Sequence, residues 1–166
     1  MTMTCVISKN CLDEMFRHAL EAYPEECCGI VINGSINGVD GQFVRCFQNI
    51  QNRLHLEDPL RYPSPASIAY TVDRADADSV FSSIKENGQT LTAFYHSHPD
   101  HPAFFSEEDK AAQTVFGEPE FPDTAQIVIA LCGGAISCIK CFKWDPTTKD
   151  FGQCRLKIEF IGYFDS

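Results

Sequence analysis

Two histidines separated by one residue, His96 and His98, stand at the end of an apolar run, and Asp109 follows beyond the stretch Pro99-Asp100-His101-Pro102. In a strand, residues i and i+2 point to the same side, so both imidazoles face one point at the strand's exit. Asp109 falls in the first turn of the next predicted helix, from where it can fold back as a third ligand. Two neutral imidazoles and one carboxylate suit Zn²⁺, and three protein ligands leave the fourth position to water, the mark of one catalytic ion rather than a structural one.

Zinc lowers the pKa of such a water to roughly 7, but amide hydrolysis still needs a group that takes its proton and returns it to the leaving amine. Glu26 is the candidate. It precedes the apolar run Cys27-Cys28-Gly29-Ile30-Val31-Ile32, where a carboxylate has little other reason to stand. Ser106 is placed to donate a hydrogen bond to a developing oxyanion, a role whose loss typically costs about 10²–10³ in kcat.

These residues need a scaffold that brings a helix–strand junction, a strand exit and a second helix start together. Leu12, Met15, Phe16, Ala19, Leu20 and Tyr23 recur at helical spacing, with Ser8 or Asn10 as N-cap and Pro24 as stop. Cys27 to Asn33 and Gln42 to Gln48 read as two paired strands around Gly34, Asn37-Gly38 and Gly41. Residues 49–71, with Pro59, Pro63 and Pro65, show no sustained period and are expected to form a long surface excursion that carries function or shapes a groove. Asp73 opens a second helix that stops at Asn87-Gly88, and a buried strand, Thr90 to His96, follows. A third helix is predicted from Ser106 to about Phe116, then strands at Gln126–Cys132, Ala135–Trp144 and Gln153–Phe160, with a hairpin at Gly133-Gly134. The sum is a single α/β domain over 1–166, core about 8–160, with a curved mixed sheet flanked by helices.

Bulk composition agrees with one site in one domain. With 166 residues, 44% of them hydrophobic, the chain supports one core and little else. A net charge of −10 disfavours nucleic acid and anionic membranes as partners and leaves a neutral or basic protein as the easier one. No apolar run nears the roughly 20 residues that span a bilayer, and the first residues lack the basic and apolar regions of a secretion signal. Nine cysteines, an odd number that includes the adjacent Cys27-Cys28, fit reduced thiols better than a disulfide framework, so the expected location is cytoplasmic.

Glu26, then His96-Ser97-His98-Pro99, seven residues to Ser106 and two more to Asp109, resembles the JAMM motif of MPN-plus zinc metallopeptidases at every position. Tyr23-Pro24-Glu25-Glu26-Cys27-Cys28-Gly29-Ile30 is similar to the helix-to-strand junction of the prokaryotic members. The resemblance covers about residues 8–144. It implies a cytidine-deaminase-like MPN fold, His96, His98 and Asp109 as ligands, Glu26 as general acid/base and Ser106 as stabiliser of the intermediate. It also implies cleavage after the C-terminal Gly-Gly of a ubiquitin-like protein, here a small sulfur carrier as substrate and partner. Oligomeric state is not legible.

Other readings compete for the same residues. Ser106-Glu107-Glu108-Asp109 has the spacing of a capping box, a role that can coexist with metal binding. Glu25 is the rival of Glu26. His18 and His55 read as surface groups and His101 as a loop residue near the site. Cys138-Ile139-Lys140-Cys141 has CxxC spacing, but in a strand positions three apart face opposite sides, which argues against a second zinc site with Cys132 and Cys154. Cys27 and Cys28 read as inert core rather than a thiol-protease nucleophile. Phe104-Phe105 stands equally for core packing or a clamp on a substrate tail. The alternative functions are a non-catalytic MPN scaffold and a peptidase acting on cell-wall or other peptides. A deaminase is disfavoured because the chain lacks HxE with a later PCxxC.

Overall fold

A computed structural model describes residues 3–160; the ends of the 1–166 domain, residues 1–2 and 161–166, lie outside the described residues. In chain order the elements are β1 (Thr4–Ser8), α1 (Lys9–Ala22), β2 (Cys28–Ile36), β3 (Val39–Phe47), α2 (Gln51–Glu57), α3 (Arg74–Glu86) and β4 (Thr90–Pro99). They continue as α4 (Glu107–Ala112), β5 (Thr114–Val115), β6 (Glu118–Pro119), β7 (Ala125–Cys132), β8 (Ala135–Asp145) and β9 (Asp150–Glu159). Seven strands make one curled mixed sheet in the order β1-β9-β8-β7-β4-β2-β3, and β5 and β6 form a separate ribbon. The pairs β1–β9 and β4–β7 are parallel and the others antiparallel.

The central strands are covered on both faces, which is why they read as unbroken apolar runs. On one face α1 lays Cys11, Met15 and Ala19 against Val31, Ala93, Tyr95, Ile127 and Ile129. On the other, Val128 and Ala130 pack with Ala103, Phe105, Trp144 and Phe151, while Phe94 joins Ile30, Ile84 and Phe81 of α3. The strand period of two therefore divides β4 cleanly: Ala93 and Tyr95 face α1, whereas Phe94, His96 and His98 face the opposite side.

Ser8 is the N-cap of α1, accepting from the N–H of Cys11 at 3.2 Å, and Asp73 caps α3. Three elements and two histidines differ from the sequence expectation. β1 is an added strand: it alternates Cys5 and Ile7 inward but is paired only with β9, far along the chain. The 49–71 segment contains the unpredicted α2 and runs over the surface with Leu56 and Leu60 exposed, but it is anchored by the buried Gln51 and Ala66 and walls one side of a cavity through Ile68 and Tyr70. The helix from Ser106 stops at Ala112 instead of near Phe116, because the chain turns through Phe116 (φ 52°) and Gly117 (φ 81°) to pair β5 with β6. His18 is half-buried rather than a surface group, its Nδ1 bonded to the Tyr95 hydroxyl at 2.8 Å. His55 is likewise half-buried, bonded to the Tyr62 carbonyl at 2.6 Å.

Candidate metal centre

The residues around the strand exit fold as their pattern requires. β4 runs between β2 and β7, with His96 opposite Cys28 and Val128, and His98 opposite Ala130. Ser97, on the other face, locks β4 to the start of β2: its hydroxyl accepts from the Cys27 N–H at 2.8 Å and its N–H donates to the Cys27 carbonyl at 3.0 Å. That pair of bonds holds the residue after Glu26 beside the residue between the two histidines.

His96 Nε2 lies 3.1 Å from His98 Nε2 and 3.3 Å from Asp109 Oδ1, and His98 Nε2 lies 3.7 Å from Asp109 Oδ2. All three side chains are buried. Bonds of about 2.0–2.1 Å to a tetrahedral ion place ligand atoms about 3.3–3.4 Å apart, close to these spacings, so a small turn of the Asp109 carboxylate would fit the three donors to one divalent ion. They are the one group of at least three His, Cys, Asp or Glu residues among the described residues whose ligand atoms converge in this way. His98 Nδ1 donates to the Pro102 carbonyl at 2.8 Å, which fixes the tautomer and frees Nε2 to bind metal. The His96 ring packs against Tyr70, centroids 4.9 Å apart at 31°, and His98 meets Phe104 edge to face.

Asp109 caps a helix and faces both imidazoles in one geometry. Its Oδ2 accepts from the Ser106 N–H at 2.9 Å while the Ser106 hydroxyl accepts from the Asp109 N–H at 3.0 Å, a reciprocal capping box at the start of α4. The cap orients the carboxylate so that it reaches both imidazoles. Burial would raise its pKa, but the two imidazoles beside it, His96 first, outweigh that and hold it well below the usual carboxylate range. Burial lowers His96. At His98 burial acts the same way, yet Asp109 and the Pro102 carbonyl prevail and raise it.

Glu26, 6% exposed, lines a cavity of about 460 Å³ with His98, Ser106 and Asp109. Burial pushes its pKa up to about 8, with Asp109 adding and His98 opposing. A carboxyl that changes protonation near neutrality is suited to carry a proton in both directions. Glu25 instead accepts from Asn52 at 2.6 Å. Ile68, Tyr70 and Phe104 supply apolar walls, and His101 stands at the rim. Phe104 is 48% exposed, whereas Phe105 is buried among Trp144 and Phe151, so the two adjacent aromatics divide between cleft and core. Cys138 is exposed and Cys141 buried, on opposite faces as the strand period demands, and burial raises Cys27 to about 12 and Cys28 further. Tyr70 and Ile68 are the wall residues that no sequence pattern indicated.

The curled mixed sheet with a buried His-His-Asp group at a strand exit defines an MPN-type domain. The family model described as prokaryotic homologs of the JAB domain matches residues 8–133, and the chain belongs to that family. Among solved structures it is similar to a protein from Desulfitobacterium hafniense, at 19% identity, covering 98% of this chain and 97% of that one with a TM-score of 0.66. It also resembles a protein from Salinibacter ruber, at 21% identity, 93% and 91% coverage and a TM-score of 0.54. A JAB1/MPN domain protein from Archaeoglobus fulgidus matches at 18% identity, 93% and 97% coverage and a TM-score of 0.48. The first two likenesses bear on the fold alone. No curated protein sequence matches this chain significantly. No helix among the described residues is long and apolar enough to cross a membrane.

Proposed function

We propose that the protein is a zinc metallopeptidase or isopeptidase that cleaves after the C-terminal Gly-Gly of a ubiquitin-like protein, with a small sulfur carrier as substrate. The observation that carries this reading is the buried convergence of His96, His98 and Asp109 beside a cavity that Glu26 also lines. His96, His98 and Asp109 would hold the ion, and two nitrogens with one carboxylate oxygen are a donor set suited to zinc. When bound there, zinc supplies Lewis-acid polarisation and lowers the pKa of water.

Glu26 takes the proton of the attacking water and returns it to the leaving amine. Its raised pKa keeps both directions accessible near neutral pH. The Ser106 hydroxyl spends its oxygen on the Asp109 N–H, so its own proton remains for the carbonyl oxygen as charge develops there. Ile68, Tyr70 and Phe104 form apolar walls suited to an extended tail that ends in small residues. The net charge of −10 suits a neutral or basic protein partner.

The test is mass spectrometry of a sulfur carrier bearing extra residues after Gly-Gly, incubated with zinc-loaded wild type, Glu26→Gln and His96→Ala. Cleavage after Gly-Gly by wild type alone is expected, with zinc retained by Glu26→Gln and lost by His96→Ala. Turnover by Glu26→Gln would remove the assigned base, and zinc-loaded wild type that cleaves nothing would remove the substrate class.

A further inference from the structure

The loop that carries Glu26 and the segment after β3 meet at one side chain. Asn49 donates from Nδ2 to the carbonyls of Glu26 at 3.0 Å and Ala69 at 3.1 Å. Its Oδ1 accepts from the N–H groups of Gln51 at 3.0 Å and Thr71 at 3.1 Å. Two donated and two accepted bonds are the full capacity of a carboxamide. Since the partners are two carbonyls and two N–H groups, only one orientation of the amide satisfies them all.

The surrounding bonds turn this contact into a clamp. The Glu26 N–H donates to the Ala66 carbonyl at 2.8 Å and the Ile50 N–H to the Thr71 carbonyl at 2.9 Å. Thr71 Oγ1 donates to Gln51 Oε1 at 2.6 Å, and Gln51 Nε2 to the Ser64 carbonyl at 2.7 Å. Ala69 and Thr71 flank Tyr70, whose ring lies against His96. One carboxamide therefore fixes the main chain of Glu26 and the main chain on both sides of Tyr70, across the cavity that Glu26 and Tyr70 both line.

We infer that Asn49 is a positioning residue: it sets Glu26 and the Tyr70 wall in register with the metal ligands. For its effect on turnover, this rests on the role proposed above for Glu26. Asn49 touches neither the ligands nor the cavity, and its effect runs through the backbone of the groups that do. A displacement of about 1 Å at a reacting group can cost about 10²-fold in rate, which is the scale on which such a clamp acts. Asn52 provides the contrast. It also ties the segment down, accepting from the Ala66 N–H at 2.8 Å and donating to the Glu25 side chain, but it leaves the Glu26 carbonyl untouched.

Asn49→Asp keeps the two acceptor contacts, removes both donors and sets a carboxylate against two carbonyls; Asn49→Ala removes all four without adding charge. Each zinc-loaded variant, with Asn52→Ala beside it, is assayed on the Gly-Gly-extended carrier for kcat, KM and zinc content. Backbone amide hydrogen exchange is followed by NMR in the same samples. Both Asn49 variants are expected to lose about 10–100-fold in kcat with KM little changed and zinc retained, while Asn52→Ala, which reaches Glu26 only through Ala66 and Glu25, loses less than either. Their Glu26 and Ile50 amides should exchange at least about tenfold faster, with the β7 ladder protected as in wild type. Wild-type exchange at Glu26 and Ile50 in both Asn49 variants would overturn the inference, as would unchanged kcat or a loss that tracks zinc. An inactive wild type together with accelerated exchange at Glu26 would sink the proposed reaction and still support the hold of Asn49 on Glu26.

Discussion

Glu26→Gln in the metal-free protein tests the electrostatics of the site without reference to any substrate. Burial raises this carboxyl from an ordinary 4.5 to about 8. Below pH 4.5 it is protonated in both folded and unfolded chains and contributes nothing. Between the two values the unfolded chain ionises freely, while the folded one must keep its proton or bear a buried charge, so folding loses stability as pH rises. The loss is complete above pH 8. At 1.36 kcal/mol per pKa unit the cost is about 1 kcal/mol at pH 5 and about 3 kcal/mol at pH 7, an upper scale because any water admitted on ionisation reduces it. Gln mimics the neutral carboxyl and escapes the penalty. Its stability advantage over wild type should therefore grow by about 2 kcal/mol between pH 5 and pH 7, or roughly 4–8 °C in Tm for a chain of this size. The assay is thermal and urea unfolding of both proteins in chelator at several pH values. An advantage that does not change with pH, or that shrinks as pH rises, would refute the assignment of Glu26 as a buried, proton-holding carboxyl.

Three further outcomes follow from contacts elsewhere. Ser106→Ala removes the N-cap of α4 and should cost about 1 kcal/mol in unfolding experiments; a fall of about 10²–10³ in kcat beside it marks the oxyanion role, whereas unchanged kcat reduces Ser106 to a cap. Gly29→Ala would put a Cβ 2.5 Å from the Tyr95 hydroxyl and 2.6 Å from the Arg45 carbonyl, so it should destabilise by about 1–3 kcal/mol in urea titrations, and a neutral result would contradict the packing of β2 on β4. In native protein a thiol reagent should titrate Cys46, Cys132 and Cys138 quickly and the six buried cysteines only on unfolding; rapid reaction of Cys27 or Cys28 would revive a thiol nucleophile.

What could be read from the sequence was whatever burial writes into a periodic pattern. The alternation through Phe94, Tyr95, His96 and His98 placed both imidazoles on one side, and the i+3 step from Cys138 to Cys141 put those thiols on opposite faces, because each follows from backbone geometry alone. The 49–71 segment is held by other means. Asn49, Gln51 and Asn52 fix it through side-chain hydrogen bonds to backbone carbonyls and N–H groups, and such bonds leave no hydrophobic period to detect. His18 escaped for a related reason: a polar residue on a helix face reads as exposed until a buried hydroxyl, here that of Tyr95, is known to await it.

Ser106-Glu107-Glu108-Asp109 shows why a structural and a functional reading of one pattern need not compete. α4 has six residues, too short to persist on helix propensity, and its first turn depends on the reciprocal cap between Ser106 and Asp109. That cap occupies Asp109 Oδ2 with the Ser106 N–H and turns the carboxylate so that Oδ1 comes 3.3 Å from His96 Nε2. A cap built with Glu at this position would bond the same N–H but place its carboxylate one methylene farther from the helix. The geometry thus selects Asp over Glu even though a capping box accepts either acid, and the choice is explained by the imidazoles it must meet.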